Sequence, residues 1–398
     1  MRVGLVVPGF SANVHDWCIP ALRDFARALS TRDDLRVIAV RYPFGASRYA
    51  VDAANVIAVG GAQRRGVGTL GVWGRTLEVI RAEHRRAAFD ILHAFWATES
   101  GLLTAMAGQL LGIPTLVSLA GGELVALSDI GYGDQRMARE RLKIRASLRL
   151  ASGVTCGSDY LLALARRHVP SKRLYRAPLG VDLELFNPDR TPADKQSGTQ
   201  PGWAAEPRGA AWARQPRLVH VATLTHVKDQ ATLLRAFSIL RAHAPSTTLD
   251  MVGDGPLRSQ LEELASELGV APAVRFHGAV AHAALPQVYR AGSAFALSSR
   301  HEAQSMAAIE AAACGLPVVG TRVGVIPELA ATPDAVVPVG AAAELAKALG
   351  STLAGAPGPS AADSARASQA RVRAEFGLDA CVARFRALYA QLADRAGN

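Results

Sequence analysis

The sequence predicts an α/β protein built from two doubly wound, parallel-sheet domains. Three observations carry that prediction. Strand-like and helix-like segments alternate along both halves of the chain, as parallel strands joined by crossover helices do. The length, 398 residues, is more than one hydrophobic core usually supports. Residues 187–216 interrupt the alternation with a run rich in Pro, Gly, Ala and polar residues that has no period, the composition of an interdomain linker with a flexible insertion. We therefore expect a first domain over 1–186, a linker over 187–216, a second domain over 217–372 and a terminal helix over 373–398.

The first half starts with a buried strand, Val3–Val7, and a loop, Pro8–Val14. Ile19–Leu29 has the apolar spacing of a helix, and Leu35–Val40 and Ile91–Ala94 read as strands. Ser100–Leu111 is helical and stops at Gly112-Ile113-Pro114, a run that cannot continue a helix. The strand Thr115–Leu119 leads into Ala120-Gly121-Gly122-Glu123, and Asp134–Leu150 is a basic helix. Gly153–Cys156 is a strand, and Ser158 suits the N-cap of a helix over Asp159–His168. Ligands of such sheets bind beyond the carboxyl ends of strands. Gly9, His93, Trp96, Gly121 and Glu123 are accordingly expected at one rim. No G-x-G-x-x-G follows the first strand, which counts against a dehydrogenase. Gly9 either lets backbone approach a ligand or simply makes a tight turn.

The second half repeats the pattern. Leu218–Ala222 is a strand, Leu224–Asp229 a loop and Gln230–His243 a helix. Thr248–Val252 ends in Gly253-Asp254-Gly255-Pro256, followed by an amphipathic helix, Leu257–Leu268, that closes at Gly269. Val274–His277 is a strand and Leu285–Ala291 a short helix. After residue 328 come a low-complexity stretch, Ala354–Ala367, and a helical pattern over Val372–Ala393.

Ala294–Glu328 concentrates the chemistry. A short apolar strand leads through a polar loop into the Ala-rich helix MAAIEAAACG. Glu302 lies in the loop and Glu310 inside the helix, with Ser305–Ala308 as the helix start between them. A helix N-terminus offers unpaired N–H groups and partial positive charge to a phosphate. A carboxylate can accept two hydrogen bonds from neighbouring hydroxyls, as sugars and ribose present them. The alternative is that Glu302 only complements the helix dipole and that Glu310 faces solvent.

Composition bounds the function classes. The chain is 49% hydrophobic and 20% charged, a globular balance, and no apolar run reaches membrane-spanning length. The N-terminal apolar run is too short for a signal peptide and reads as a strand. Cys18, Cys156, Cys314 and Cys381 are scattered, so neither a disulfide framework nor a zinc site is expected, and a reduced, cytoplasmic setting fits. The net charge is +10; residues 1–187 hold 24 Lys+Arg against 16 Asp+Glu, so most of the excess lies in the first half. Trp73 with Arg64, Arg65, Arg75, Arg81, Arg85 and Arg86 forms a basic flank suited to peripheral contact with an anionic membrane at its inner face; a solvated helix face is the alternative. No nucleic-acid motif accompanies these arginines, so a nucleic-acid partner is not expected.

Several motifs of the second half, in order, resemble the family 4 retaining glycosyltransferases, also called glycosyl transferases group 1. They are Pro178-Leu179-Gly180-Val181-Asp182, Leu224–Phe237, Val252–Leu257, Phe276–Val280, the Glu302/Glu310 pair, Gly315–Val319 and Gly324–Glu328. The resemblance implies a GT-B fold: two Rossmann-like domains facing a cleft, with a C-terminal helix that crosses back to the first domain. It implies a nucleotide diphosphate-sugar donor on the second domain and a glycan, glycolipid or small-molecule acceptor on the first. No cofactor and no metal are implied. Lys228 and Glu302 would be the catalytic residues. Glu310 would hold the ribose, Ser305 and Met306 the diphosphate, and Val280 the base; Thr223, Gly253 and Asp254 would complete the donor site. Gly9, His93, Trp96 and Glu123 would face the acceptor. The resemblance also implies departure and attack on one face of the sugar, with the leaving phosphate taking the acceptor's proton.

Three positions depart from the family pattern. Thr223 stands where the family usually has Arg, and Ala303-Gln304-Ser305 where it has a Gly-aromatic-Gly run. Ala120-Gly121-Gly122-Glu123 lacks the His found after that strand, so Glu123 or His93 would have to replace it. A nucleotide-sugar 2-epimerase and a non-catalytic nucleotide-sugar-binding protein are the alternatives.

Overall fold

A computed structural model of the protein describes residues 1–16, 18–61, 67–188, 215–355 and 369–397. The chain forms two compact units, Met1–Gly180 with Glu375–Asn398, and Val181–Ala374. Most of the expected linker (187–216), most of the low-complexity stretch, and Arg64 and Arg65 lie outside the described residues.

In the first unit the strands are β1 (Arg2–Gly9), β2 (Asp34–Tyr42), β3 (Ser47–Val51), β4 (Ala54–Ala58), β5 (Ile91–Phe95), β6 (Thr115–Leu119), β7 (Gly153–Cys156) and β8 (Leu174–Arg176). They pair in the order β3-β4-β2-β1-β5-β6-β7-β8. All pairings are parallel except the β3–β4 hairpin. The helices are α1 (Pro20–Ser30), α2 (Val67–Arg86), α3 (Glu99–Leu111), α4 (Ala138–Leu150) and α5 (Asp159–Ala165). Ser158 caps α5 as expected, its hydroxyl accepting from Leu161 N at 3.2 Å. Both faces of the sheet are covered, which is why β5, β6 and β7 are buried at every position.

In the second unit β9 (Arg217–Val221), β10 (Thr248–Val252), β11 (Val274–Gly278), β12 (Ala294–Leu297), β13 (Val318–Thr321) and β14 (Val336–Val337) form an all-parallel sheet. Its order is β11-β10-β9-β12-β13-β14. Its helices are α6 (Gln230–His243), α7 (Arg258–Glu267), α8 (Leu285–Arg290), α9 (Met306–Ala313), α10 (Ile326–Leu329) and α11 (Ala342–Ala354). In each sheet the chain reverses its direction of travel once: between β1 and β5, and between β9 and β12. Loops leaving the carboxyl ends of those strands diverge and open a crevice, the usual ligand site of such sheets.

The terminal pattern is broken at Gly377 into α12 (369–376) and α13 (Leu378–Gly397). Cys381, Val382, Phe385, Tyr389 and Leu392 of α13 lie in the core of the first unit with Leu22, Phe25 and Leu29 of α1. Phe385 and Tyr389 are fully buried, each contributing about 2–3 kcal/mol of apolar burial. The spacing of these residues is that of one helix face.

His93 corrects the sequence reading. It is 0% exposed, and its ring lies among Phe25, Phe95 and Phe385. Nδ1 pairs with Tyr389 Oη at 2.7 Å and Nε2 with Ser118 Oγ at 2.8 Å; Ser118 in turn meets Thr155 Oγ1. Burial pushes the imidazole pKa down to about 3, so the ring is neutral and carries one N–H. It links α13 to the sheet and does not face the rim.

Candidate functional site

The second unit assembles its site at the switch between β9 and β12. After β9 the chain runs through an exposed Thr223 to a single 3-10 turn, His226–Lys228. Asp229 adopts a left-handed conformation (φ 47°) and caps α6, accepting from Thr232 N at 3.4 Å and from Thr232 Oγ1 at 2.7 Å. Ser298, just past β12, donates to the carbonyls of Lys228 (3.0 Å) and Asp229 (2.8 Å). Arg300 N donates to Val227 O at 2.8 Å. These bonds sew the loop after β9 to the loop after β12.

As a result Lys228 Nζ donates to Glu302 Oε1 at 2.7 Å. Ser299 Oγ donates to the same oxygen at 2.6 Å. The Glu302 side chain is 8% exposed and that of Lys228 23%, so the pair is largely buried and the ammonium is its more open partner. Ser305 follows with φ 83° and makes no side-chain cap, so its hydroxyl does not take up the first-turn N–H groups of α9, which have no partner within the helix. Ser305 thus keeps the backbone conformation that a glycine would supply, at a strain cost of about 1–2 kcal/mol. Gly324 (φ 54°) lies against this loop: a Cβ there would stand 2.6 Å from Gln304 O and 2.7 Å from Glu302 Cβ.

Glu310 is buried on α9, not solvent-facing. Tyr289 Oη donates to its Oε2 at 2.8 Å, and His282 Nε2 lies 3.1 Å from its Oε1. Burial and the neighbouring carboxylate raise the Tyr289 pKa well above the ordinary phenol, so Tyr289 remains a donor. The carboxylate is therefore aimed, with lone pairs left for hydroxyl groups.

The glycine turn after β10 locks to its neighbours. Gly253 N donates to Gly278 O at 2.8 Å, and Leu224 N to Asp254 O at 3.0 Å. A Cβ on Gly253 (φ 129°) would meet Ala222 O at 1.9 Å, so only glycine fits there. Asp254 is exposed and Val280, after β11, half-buried. Lys228 and Glu302 are thus in direct contact, while Thr223, Gly253, Asp254, Val280, Ser305 and Met306 leave neighbouring strand ends of the same crevice.

Several supporting residues escaped the sequence reading. His220 is buried; its Nδ1 meets Ala296 O at 2.9 Å and its Nε2 meets Gln230 Nε2 at 3.3 Å. Gln230 also donates to Thr223 O at 2.9 Å. This bridge underlies the Thr223–Lys228 loop. Ser299, Tyr289 and His282 belong to the same class. Gln230 lies within the Leu224–Phe237 motif, but its role depends on His220; His220, Ser299, Tyr289 and His282 lie outside the short motifs, so no local signal marks them.

In the first unit Gly9 ends β1 and Trp96 follows β5. Gly9 is buried, its Cβ direction closed by Tyr42 at 3.1 Å. Trp96 is half-buried with φ 65°, and its indole nitrogen lies over Gly121, where a Cβ would come within 3.0 Å. Glu123 is fully buried. Its carboxylate accepts from Ala97 N (3.3 Å), Ala120 N (3.1 Å) and Gly121 N (2.7 Å). Burial pushes its pKa up against the pull of these donors. Glu123 therefore shapes the loop after β6 rather than facing the acceptor, which corrects its expected placement. Trp73 is also otherwise engaged, its indole N–H donating to Glu99 Oε1 at 2.6 Å. Among the described residues no helix is long and apolar enough to cross a membrane, and no group of three His, Cys, Asp or Glu side chains is placed to hold a metal ion.

Comparison with known proteins agrees with this architecture. Residues 21–185 match the model of Glycosyltransferase Family 4, and residues 215–354 that of Glycosyl transferases group 1. The D-inositol 3-phosphate glycosyltransferase of Actinosynnema mirum is 33% identical over 270 residues, covering 63% of this chain and 61% of the relative. The GDP-mannose-dependent alpha-(1-6)-phosphatidylinositol monomannoside mannosyltransferase of Mycolicibacterium smegmatis is 31% identical over 223 residues, covering 54% and 56%. The chain thus spans a little over half the length of these curated relatives. HepE of Anabaena, crystallised with UDP and glucose, gives a TM-score of 0.70 at 20% identity, covering 98% of this chain and 100% of that one. Sucrose-phosphate synthase of Thermosynechococcus elongatus gives 0.73 at 20% identity, covering 98% and 99%. At such identity the likeness shows the fold, two parallel-sheet α/β domains of the GT-B class. With one match over each half of its length, the chain belongs to the family 4 glycosyltransferases, the glycosyl transferases group 1.

Proposed function

We propose that the protein transfers a sugar from a nucleotide diphosphate-sugar to an acceptor hydroxyl, with retention at the anomeric carbon. The observation that carries this reading is the Lys228–Glu302 pair at the β9/β12 switch, beside the uncapped start of α9. A diphosphate placed there meets the Lys228 ammonium and the α9 N–H groups, which stabilise the charge that develops as it leaves. Glu310, aimed by Tyr289 and His282, accepts from the ribose hydroxyls. Glu302 lies beside the donor sugar. Thr223, Gly253, Asp254 and Val280 line the rest of the donor site, with Val280 touching the base through its backbone.

In the transfer, the bond from the anomeric carbon to the diphosphate oxygen breaks and a bond to the acceptor oxygen forms on the same face. The acceptor's proton passes to the departing phosphate oxygen. This route asks for no protein nucleophile, and the cationic work falls to Lys228 and the α9 terminus rather than to a metal.

The names of the relatives support a glycan, glycolipid or polyol acceptor, since they include an inositol phosphate and a phosphatidylinositol mannoside. The HepE complex with UDP and glucose supports a nucleotide-sugar donor. We place the acceptor on the first unit, near Gly9 and Trp96. The protein would work in the cytoplasm, with peripheral contact to the inner membrane face through its basic first half. The test is incubation of the purified protein with a panel of nucleotide-sugars, with and without acceptor extracts. Acceptor-dependent release of nucleoside diphosphate and an axial or equatorial product linkage matching the donor support the reading. Isomerised donor supports a 2-epimerase, and binding without turnover supports a non-catalytic binder.

A further inference from the structure

On the flank around Trp73 two of the arginines are already paired with carboxylates: Arg85 with Glu78 at 3.5 Å and Arg86 with Glu83 at 3.0 Å. By contrast, a groove of about 580 Å³ runs along α4 and past the end of α5. Its lining holds Arg141, Arg145, Arg149, Arg167, His168 and Arg173, and no carboxylate.

Arg141, Arg145 and Arg149 recur at every fourth residue, so they form one stripe on α4, about 12 Å long. Like charges at this spacing repel one another and destabilise the helix that carries them. The acidic residue of the helix does not relieve them: Glu140 is taken by Lys143 at 2.6 Å and Arg139 at 3.4 Å. Arg173 faces the stripe and is fixed in place. Its Nη1 donates to the carbonyls of Leu148 (3.2 Å), Arg149 (3.2 Å) and Ala151 (2.7 Å), which close the C-terminus of α4. Arg167 and His168 approach from the end of α5, and both are exposed, as are Arg145 and Arg149. Arg141 is held too, its Nη1 donating to Gln135 O at 3.1 Å, so Arg173 and Arg141 are anchored while the exposed Arg145, Arg149 and Arg167 line the groove between them. Planar guanidinium groups in such an arrangement match phosphate oxygens in bidentate fashion.

We propose that the α4 groove is an anion site, separate from the donor crevice of the second unit, that takes a phosphate-bearing ligand. The phosphate belongs either to a lipid headgroup or to a free phosphorylated molecule. The site does not rest on the transferase reading, because it lies in the other unit and its test reads binding alone.

Two arms, run on the full chain, separate the sources. Lys228→Ala serves as background, to weaken phosphate binding at the donor crevice. In the first arm inorganic pyrophosphate is titrated calorimetrically into Lys228→Ala and into the same protein carrying Arg145→Gln and Arg149→Gln. In the second arm both proteins are sedimented with phosphatidylglycerol-containing vesicles and with phosphatidylcholine vesicles at low salt. A loss of about tenfold or more in affinity on adding the two Gln substitutions, in either arm, is the expected result. The arm that shows it names the source. Both positions are exposed, so an unchanged melting temperature checks that the fold is intact. Absence of binding in both arms, or equal binding by the two proteins, would overturn the proposal.

Discussion

Lys228 and Glu302, 74 residues apart in sequence, meet through a 2.7 Å contact from Nζ to Oε1. Neither reaches the other by local structure. Lys228 ends the turn after β9, Glu302 sits in the loop after β12, and β9 and β12 are neighbours in the sheet. The ammonium is the more open partner, so it can turn to a donor diphosphate while Ser299 keeps hold of the carboxylate.

Lys228→Ala and Glu302→Ala should each lower transfer by about two decades or more, the usual loss when a preorganised electrostatic partner of the transition state is removed. Because the two side chains are in contact, the double substitution should cost less than the product of the singles. Steady-state rates of the four proteins check this. Near-normal turnover in both single variants would remove the pair from the chemistry.

Glu310→Gln should weaken nucleoside diphosphate binding about tenfold, because it removes a buried charged acceptor from the ribose. Tyr289→Phe leaves Oε2 without its donor and should give a smaller loss, about threefold. Ligand-induced thermal shifts report both. Shifts equal to those of the unaltered protein would contradict the assigned role.

Gly253→Ala should destabilise the protein by roughly 2 kcal/mol or more, since the new Cβ would stand 1.9 Å from the Ala222 carbonyl at φ 129°. Gly269→Ala is the control: it too is left-handed, at φ 68°, but nothing lies within 4 Å of its Cβ direction. It should cost about 1 kcal/mol. Urea midpoints that do not separate the two variants would refute the steric argument.

Stability should fall between pH 6.5 and pH 4. Burial depresses the folded-state pKa of His93 to about 3 and of His220 to about 4, against 6.5 for the free group. Below pH 6.5 the unfolded chain takes up protons that the folded one refuses, so each histidine contributes stability above 6.5 that is lost on acidification. By pH 5 the loss is about 2 kcal/mol per histidine. Urea midpoints at pH 7 and pH 5 measure it. In His93→Gln the contribution from this site should vanish from the pH-dependent fall, whatever the variant's stability at pH 7. An undiminished fall would show that His93 is not the titrating group.

Much of the proposed donor site lies close together in the sequence because it is written in strand–loop–helix units. Glu302, Ser305, Met306 and Glu310 lie within nine residues of each other, and Gly253-Asp254 directly follows a strand. The β3–β4 hairpin was not legible. It turns at Asp52-Ala53 with φ 51° at Asp52, without the Asn-Gly or Asp-Gly pair that usually signals such a turn. The terminal pattern looked like one helix because its apolar spacing runs on across Gly377.

His93 and Glu123 show the limit most clearly. A strand covered on both faces has no polar alternation, so position along β5 says where a residue lies but not which way its environment opens. His93 was turned into the core by Tyr389, almost three hundred residues later, and Glu123 was drawn inward by three backbone amides. The sequence by itself determined the alternation of elements, the two parallel sheets and the acidic pair flanking a helix start, since these depend on local periodicity and spacing. Only the tertiary structure decided that Lys228 would meet Glu302, that Tyr289 and His282 would aim Glu310, and that the arginines of α4 would face a groove without carboxylates. Those are contacts between distant segments, and they exist only once adjacent strands have been brought into register.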